Sequence, residues 1–259
     1  MAEKPVEVER DGAIAVVSVV RPEVRNAMDV ETRVALRDAL AGLEDDDEVR
    51  GIVLRGGGDT FISGSDVRLF LEMDPFDARE YTQHTQGLYN YVERIPKPVV
   101  AAIDGYAMGG GLEIALCCDV RVATEGAKLG QSELAIGAIP GGGGTQRLPD
   151  VVGMGVAKEL MFTGDPLGSA RAHELGLVNR VVDADDLVDE ATALCRRMTR
   201  HSPKVFEILK EVVNQGSRTD LAAGLELERY AWSLAFATED LDEGVEAFLE
   251  KREPDYEGR

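Results

Sequence analysis

Several kinds of residue are scarce in this 259-residue chain, and each scarcity argues against a class of protein. The three cysteines, Cys117, Cys118 and Cys195, form neither a disulfide framework nor a CxxC metal motif, a usage typical of a reducing compartment. The three histidines have no second histidine or cysteine at the spacing of metal ligands, so no metal site is predicted. No apolar run approaches the roughly 20 residues of a membrane-spanning helix, and the first residues lack the apolar segment of a signal peptide. We therefore expect a cytoplasmic protein that binds no metal and does not enter a membrane.

Basic residues are also scarce relative to acidic ones. The chain has 28 lysines and arginines against 48 aspartates and glutamates, which gives a net charge of −20 at pH 7. A surface of this charge repels nucleic-acid phosphates and anionic lipids, so neither is expected as a partner. With 44% hydrophobic residues, the chain can form one large domain, or one large domain with a small appendage.

Nucleotide-binding and hydrolase fingerprints are absent as well. The chain contains no GxxxxGK[ST] loop and no GxGxxG loop, so its glycine-rich segments do not indicate a nucleotide site. It contains no GxSxG elbow, and no histidine is placed to form a triad with Ser65. Strands that alternate with helices predict an α/β fold.

Patterns of apolar and capping residues predict several elements. Asp29 can cap a helix, and Ser202 followed by Pro203 can begin another. The apolar face of the helix after Asp29 consists of Leu36, Leu40 and Leu43. We also predict one helix over Val151–Phe162 and a strand over Leu177–Val182.

The most informative stretch is rich in glycine and lies between Val99 and Arg147. Val99–Ile103 is a β-branched apolar run that predicts a buried strand, and Asp104-Gly105 predicts a turn. Gly109-Gly110-Gly111 then precede a second apolar segment, Leu112–Cys118. Glycines at a strand-to-helix junction leave backbone N–H groups uncovered, and a helix N-terminus adds further unpaired N–H groups. Such a junction can hold a negatively charged oxygen.

Two carboxylates flank this junction. Glu113 lies in the apolar segment, and Glu133 follows it, just before a second glycine-rich loop over Gly141–Gly144. Taken singly, a glycine loop or a glutamate on a helix is most simply a surface feature. Together they form a candidate anion site between two carboxylates, an arrangement suited to acid–base chemistry on a carbonyl compound.

The segments DGYAMGGGLEIALCCD, LGQSELAIGAIPGGGGTQRL and AHELGLVNRVV resemble the crotonase family, also called the enoyl-CoA hydratase/isomerase superfamily. The resemblance covers nearly the whole chain. It implies a crotonase-like spiral of repeated ββα units with a C-terminal helical region. Residues 1–200 would form the core with the active site, and residues 201–259 a helical oligomerisation region. The implied assembly is a homo-oligomer, either a trimer or a dimer of trimers.

The resemblance also implies an activity, the hydration of a trans-2-enoyl-CoA to a 3-hydroxyacyl-CoA, as in fatty-acid β-oxidation. Glu113 would accept a proton from the attacking water, and Glu133 would deliver a proton to C2. The backbone N–H groups of Ser65 and Gly110 would form the oxyanion hole. Family members often have alanine where this chain has Ser65. No cofactor is implied, since coenzyme A is part of the substrate.

The remaining implied residues would bind the substrate and its CoA moiety. They are Arg25, Asn26, Ala27, Ser63, Asp66, Val67, Gly109, Trp232 and Lys251. Several of these residues could instead be purely structural. Arg25-Asn26-Ala27 could be an ordinary strand-to-helix loop, Trp232 could belong to the core, and Lys251 could complement a helix dipole. Because CoA is anionic, its path on this acidic chain needs local basic residues.

Two other functions compete with the hydratase. A double-bond isomerase of the same family stabilises a similar enolate but needs only one proton carrier, often the carboxylate at the position of Glu133. The presence of both Glu113 and Glu133 therefore favours the hydratase. A noncatalytic CoA-binding or RNA-binding member is the other alternative, and the acidic composition argues against RNA.

Overall fold

The computed structural model describes residues 4–259. The strands are β1 (Val6–Asp11), β2 (Ile14–Val19), β3 (Gly51–Gly56), β4 (Val99–Ile103), β5 (Tyr106–Met108), β6 (Val120–Thr124), β7 (Lys128–Gly130), β8 (Leu167–Gly168) and β9 (Arg180–Val182). The helices are α1 (Val30–Glu44), α2 (Pro75–Arg94), α3 (Gly110–Ala115), α4 (Gly144–Val152), α5 (Met154–Thr163), α6 (Ser169–Glu174), α7 (Leu187–Met198), α8 (Pro203–Gly216), α9 (Leu221–Ala235) and α10 (Glu239–Glu250). Short 3₁₀ helices span Pro22–Val24, Val67–Glu72, Glu133–Ile136 and Ala184–Asp186.

The strands form two sheets. The larger sheet has the order β1-β2-β3-β4-β6-β9, and every pair in it is parallel except β1 with β2. The smaller sheet has the order β5-β7-β8. Along the chain, β4 of the larger sheet is followed by β5 of the smaller one, and β6 is followed in the same way by β7. These two repeats each contribute one strand to each sheet, whereas β1 and β2, which precede α1, both lie in the larger sheet.

Strand β4 leads directly into the glycine-rich junction. All five of its residues are buried, which suits a central strand of a parallel sheet that is covered on both faces. The turn after β4 uses Gly105 at a positive φ of 54°. A Cβ atom at this position would lie 2.0 Å from the carbonyl oxygen of Asp59, so only glycine fits this close approach.

The predicted helix caps are present. Asp29 Oδ1 accepts a hydrogen bond from the Thr32 backbone N–H at 2.8 Å, and the apolar face of α1 is buried. Helix α2 begins at Pro75 and is capped by Asp74. Proline suits this first position because it has no backbone N–H, and an N–H there would have no partner inside the helix. Ser202 Oγ accepts a hydrogen bond from the Val205 backbone N–H at 3.0 Å, so α8 begins as the sequence predicts.

Two element predictions differ from the structure. The single helix over Val151–Phe162 is wrong, because Gly153 adopts a positive φ of 79° and separates α4 from α5. The strand over Leu177–Val182 is too long. The N–H groups of Leu177 and Val178 donate to the carbonyl oxygen of Ala172 in α6, so only β9 pairs with the sheet.

Helix α7 was not predicted, although its sequence carries a recognisable signal. Leu187, Ala191 and Cys195 are buried and recur at every fourth residue, which is the spacing of one helical face.

The chain forms two compact units. The first extends to Ile95 and resumes over Val99–Cys195, and the second comprises Pro96–Pro98 with Arg196–Arg259. In the second unit, the C-terminal tail folds back onto the start of α10. There, the buried side chain of Asp240 accepts hydrogen bonds from the backbone N–H groups of Glu257 and Gly258. Throughout residues 4–259, no helix combines the length and the apolar character that crossing a membrane requires.

Candidate active site

The first unit contains a cavity of about 390 Å³ beside the glycine-rich junction. Three parts of the chain meet at its wall: the segment Ser63–Val67, the start of α3, and the loop that follows Glu133. One side of α2 contributes the remaining wall. Both sequence-predicted carboxylates, Glu113 and Glu133, line this cavity.

The segment that carries Ser65 is held by the loop before α1. The Met28 N–H donates to Gly64 O at 2.9 Å, and the Asp66 N–H donates to Met28 O at 3.1 Å. These two bonds lie on either side of Ser65. Within residues 4–259 the Ser65 backbone N–H has no hydrogen-bond partner, so it can donate to a ligand in the cavity.

Gly110 is the first residue of α3, where a backbone N–H has no partner inside the helix. A Cβ atom at Gly110 would lie 3.6 Å from the Ser65 backbone N, so the two residues are neighbours. The Gly110 N–H also has no partner in the described part of the chain. The structure thus brings together the two donors predicted for an oxyanion hole, although they are 45 residues apart in sequence (110 − 65).

Glu113 is almost fully buried, at 3% exposure, and its Oε1 accepts two hydrogen bonds of 2.8 Å from the backbone N–H groups of Gly142 and Gly144. Burial raises the pKa of Glu113, whereas the two amides and the guanidinium of Arg147 oppose that rise by favouring the ionised form. The loop needs glycine at this point, because a Cβ atom at Gly142 would lie 2.6 Å from Glu113 Oε2.

Glu133 begins a 3₁₀ helix and lies next to the glycine junction. A Cβ atom at Gly109 would lie 3.0 Å from Glu133 Oε1. Burial raises the pKa of Glu133 to about 7, and the charge of Glu113 contributes in the same direction. Near neutral pH, therefore, a large fraction of Glu133 is protonated and can donate a proton.

Gln131 and Arg147 support the two carboxylates, and sequence reasoning missed both. Gln131 is fully buried, and one atom of its side-chain amide lies 2.8 and 3.1 Å from the two carboxylate oxygens of Glu133; the amide donates to both when its nitrogen is the atom turned toward Glu133. Arg147 pairs with Glu93 at 2.9 Å and donates to Gly142 O at 3.2 Å, so it fixes the loop that holds Glu113. A polar residue directly after the buried strand β7 was the available signal for Gln131.

Residues 9–259 match the enoyl-CoA hydratase/isomerase family. The chain belongs to this family. Crotonyl-CoA hydratase of Syntrophomonas wolfei is 37% identical to it over 257 residues, which cover 99% of each protein. Short-chain-enoyl-CoA hydratase of Clostridium acetobutylicum is 36% identical over 245 residues, which cover 94% of each.

The predicted crotonase-like fold is confirmed by comparison with solved structures. Enoyl-CoA hydratase from Bacillus anthracis superposes with a TM-score of 0.93 at 34% identity, and the match covers 98% of this chain and 100% of that one.

Of the predicted substrate-binding residues, Ser63, Val67 and Gly109 line the cavity. Asn26 does not, because its fully buried side chain donates to Gly57 O at 2.9 Å and to Thr60 O at 2.6 Å. The Asn26 side chain thus fixes the loop that leads to Ser63, and a contact between Asn26 and CoA stays a prediction.

The other predicted binding residues lie outside the cavity wall. Arg25 is exposed, Ala27 is half-buried, and Asp66 is buried and pairs with Arg68. Trp232 and Lys251 belong to the second unit, where Trp232 is 68% exposed and packs against Phe236 with ring centroids 5.6 Å apart.

We expect Glu133→Gln to stabilise the protein at alkaline pH. Because the folded state raises the pKa of Glu133 from 4.5 to about 7, folding favours the protonated form and stability is lost as the pH rises through that range. Glutamine stays neutral and avoids this loss, so the free energy of unfolding should rise by about 1–3 kcal/mol at about pH 9, after allowance for solvent screening. Urea unfolding at about pH 9 and about pH 4 measures the effect, which should vanish at the lower pH. An equal gain at both pH values would contradict the assigned cause.

Proposed function

We propose that the protein is an enoyl-CoA hydratase, which adds water across the 2,3 double bond of a trans-2-enoyl-CoA to give a 3-hydroxyacyl-CoA. The observation that carries the proposal is the pair of carboxylates, Glu113 and Glu133, in one cavity with two unpaired backbone N–H groups. The hydratase names of the relatives support the same reaction. A place in fatty-acid β-oxidation or related acyl-CoA catabolism is consistent with it.

The thioester oxygen binds between the N–H groups of Ser65 and Gly110. When water adds to C3, negative charge develops on this oxygen, and the two donors stabilise it. Because both donors are fixed by the backbone before substrate arrives, they need no reorganisation during the reaction. One such donor typically lowers the barrier by about 3 kcal/mol.

The environments of the two carboxylates assign their roles. Glu113 accepts two amide hydrogen bonds and lies near Arg147, contacts that favour its ionised form, so it accepts the proton from water as the hydroxide adds to C3. Glu133, with its pKa raised to about 7, delivers a proton to C2. Transfer of a proton from Glu113 to Glu133 then restores the enzyme, and the net change is the addition of one water.

The closest competing activity is double-bond isomerisation, which moves one proton between C2 and C4 and needs a single carrier. The two assays are distinct. A hydratase removes the conjugated absorbance of crotonyl-CoA, whereas an isomerase creates that absorbance from a 3-enoyl-CoA. We expect the first reaction to be much the faster. Failure to hydrate crotonyl-CoA and longer 2-enoyl-CoA thioesters would overturn the proposal.

The chemistry needs only side chains and backbone amides, and we propose no metal and no redox cofactor, with coenzyme A as part of the substrate. We place the enzyme in the cytoplasm. Trp232 and Lys251 stay predicted contacts of the CoA moiety.

We further propose a homo-oligomer, either a trimer or a dimer of trimers. The second unit exposes many large apolar side chains, which a partner subunit would cover. The most exposed are Leu221, Tyr230, Trp232, Phe236, Phe248 and Leu249. Multi-angle light scattering of the purified protein is expected to give three or six times the 28.0 kDa mass of the chain. A stable monomer at micromolar concentration would contradict this expectation.

A further inference from the structure

The buried cation behind the cavity wall has no acidic partner. Arg33 lies on α1 at 6% exposure, and its Nη2 donates to the carbonyl oxygen of Met28 at 2.9 Å. Its Nε is buried without a hydrogen-bond partner. In residues 4–259 no carboxylate pairs with this guanidinium. Neutral groups satisfy part of this guanidinium, and its positive charge stays available to an anion that enters the cavity.

The same nitrogen contacts two hydroxyl groups that line the cavity. Arg33 Nη2 donates to Ser65 Oγ at 3.4 Å and to the Tyr81 hydroxyl oxygen, and the guanidinium carbon lies 4.3 Å from the centroid of the Tyr81 ring. An arginine N–H can only donate, so both hydroxyl oxygens act as acceptors and both hydroxyl protons remain available. Across the described residues neither proton has a protein acceptor. Since both oxygens contact one nitrogen, they lie within roughly 6 Å of each other.

The rest of this wall offers no comparable donors. The Thr82 and Thr85 hydroxyls donate to carbonyl oxygens of their own helix, at 2.8 and 2.9 Å. The other side chains that the chain from the 3₁₀ helix to α2 turns to the cavity are apolar, and they are Val67, Phe70, Met73 and Ala78. The two hydroxyls held by Arg33 thus form a polar site within a mainly apolar acyl pocket.

We propose that Arg33 is a positioning residue that directs the Ser65 and Tyr81 hydroxyls toward a carboxylate on the acyl group. The preferred substrate is then a short 2-enoyl-CoA whose acyl chain ends in a carboxylate beyond the double bond. Two convergent donors match the two oxygens of a carboxylate, and the nearby guanidinium matches its charge. A plain alkyl chain would instead leave both hydroxyl protons without an acceptor. This inference rests on the proposed hydratase function, whose cavity it shares.

The test compares two thioesters of equal shape on the purified full-length protein. Pent-2-enedioyl-CoA carries the terminal carboxylate, and 5-methylhex-2-enoyl-CoA replaces it with a branched alkyl group. We expect wild type to favour the first by at least about 10-fold in kcat/KM, because a site that hydrogen-bonds its substrate discriminates against an analogue that lacks the polar group. Tyr81→Phe and Arg33→Met should each lower that ratio by about 10-fold, mainly through KM for the dicarboxylic substrate, and Arg33→Lys should retain part of it.

Arg37→Met is the matched control. Arg37 lies one turn further along α1 and also stacks on a tyrosine, 3.1 Å from the Tyr91 ring centroid, but it is exposed and lies outside the cavity wall. Its loss should leave the substrate ratio unchanged. Tyr81→Phe removes only one hydroxyl, so it tests whether the substrate ratio depends on that hydroxyl even if Arg33→Met fails to fold.

The outcomes separate the two proposals. A wild-type enzyme that hydrates crotonyl-CoA but favours the branched alkyl thioester, or a ratio that Tyr81→Phe does not change, overturns the inference and leaves the hydratase function standing. If neither thioester nor crotonyl-CoA is hydrated, the proposed function fails and the inference fails with it.

Discussion

Glu113→Gln and Glu133→Gln are each expected to lower the turnover of crotonyl-CoA by about 10²–10⁴-fold, the contribution typical of a general acid or base. Glutamine at 113 can still accept hydrogen bonds from Gly142 and Gly144 through its side-chain oxygen, so the loop should keep its place while the base is lost. Glutamine at 133 cannot deliver a proton to C2. The substitutions therefore remove chemistry with little change in shape.

Initial rates of crotonyl-CoA hydration measure this effect. Circular dichroism and the affinity for a saturated acyl-CoA serve as controls for folding and binding. Because the two carboxylates act on the same water addition, the double variant should lose far less than the product of the single losses. If either single variant kept nearly wild-type turnover, the role assigned to that residue would be wrong.

The pH profile should distinguish the two variants. In wild type, kcat/KM for hydration should fall as the pH rises above about 7, because Glu133 loses the proton it delivers. Glu133→Gln should lose this alkaline limb, whereas the residual activity of Glu113→Gln should keep it.

Gly110→Val is expected to lower turnover by at least about 10²–10³-fold, the loss typical of removing one oxyanion donor. A Cβ atom at Gly110 would lie 3.0 Å from the Tyr89 hydroxyl oxygen and 3.4 Å from Ser65 Oγ. The added side chain would thus crowd the two N–H donors, between which we propose that the thioester oxygen binds. Gly110→Ala should show a smaller loss, because it adds one carbon without branches.

The matched control for this prediction is Gly87→Ala. Gly87 lies within α2, and a Cβ atom there would meet nothing within 4 Å, so alanine should leave turnover unchanged and raise the thermal midpoint slightly. Thermal unfolding of each variant separates loss of the oxyanion site from loss of the fold. A folded Gly110→Val protein with full activity would refute the predicted location of the thioester oxygen.

The sequence by itself determined the local features of this protein. Asp29 and Ser202 predict their helix caps because capping involves residues only three positions apart. The β-branched run of β4 and the turn at Gly105 are local signals of the same kind. Family resemblance identified the fold, which comparison confirms, and it selected Glu113, Glu133, Ser65 and Gly110 as the candidate site.

The tertiary structure decided whatever depends on residues far apart in the chain. Asn26 is fully buried, and its Nδ2 donates to carbonyl oxygens more than thirty positions away, a contact that no local pattern reports. Arg147 and Arg33 likewise gain their roles only where distant segments meet. The raised pKa of Glu133 depends on burial, which desolvates the carboxylate and disfavours its charged form. A sequence can predict that two carboxylates belong to one site. Only folding excludes the water around them, and this loss of hydration shifts their pKa values away from that of free glutamate.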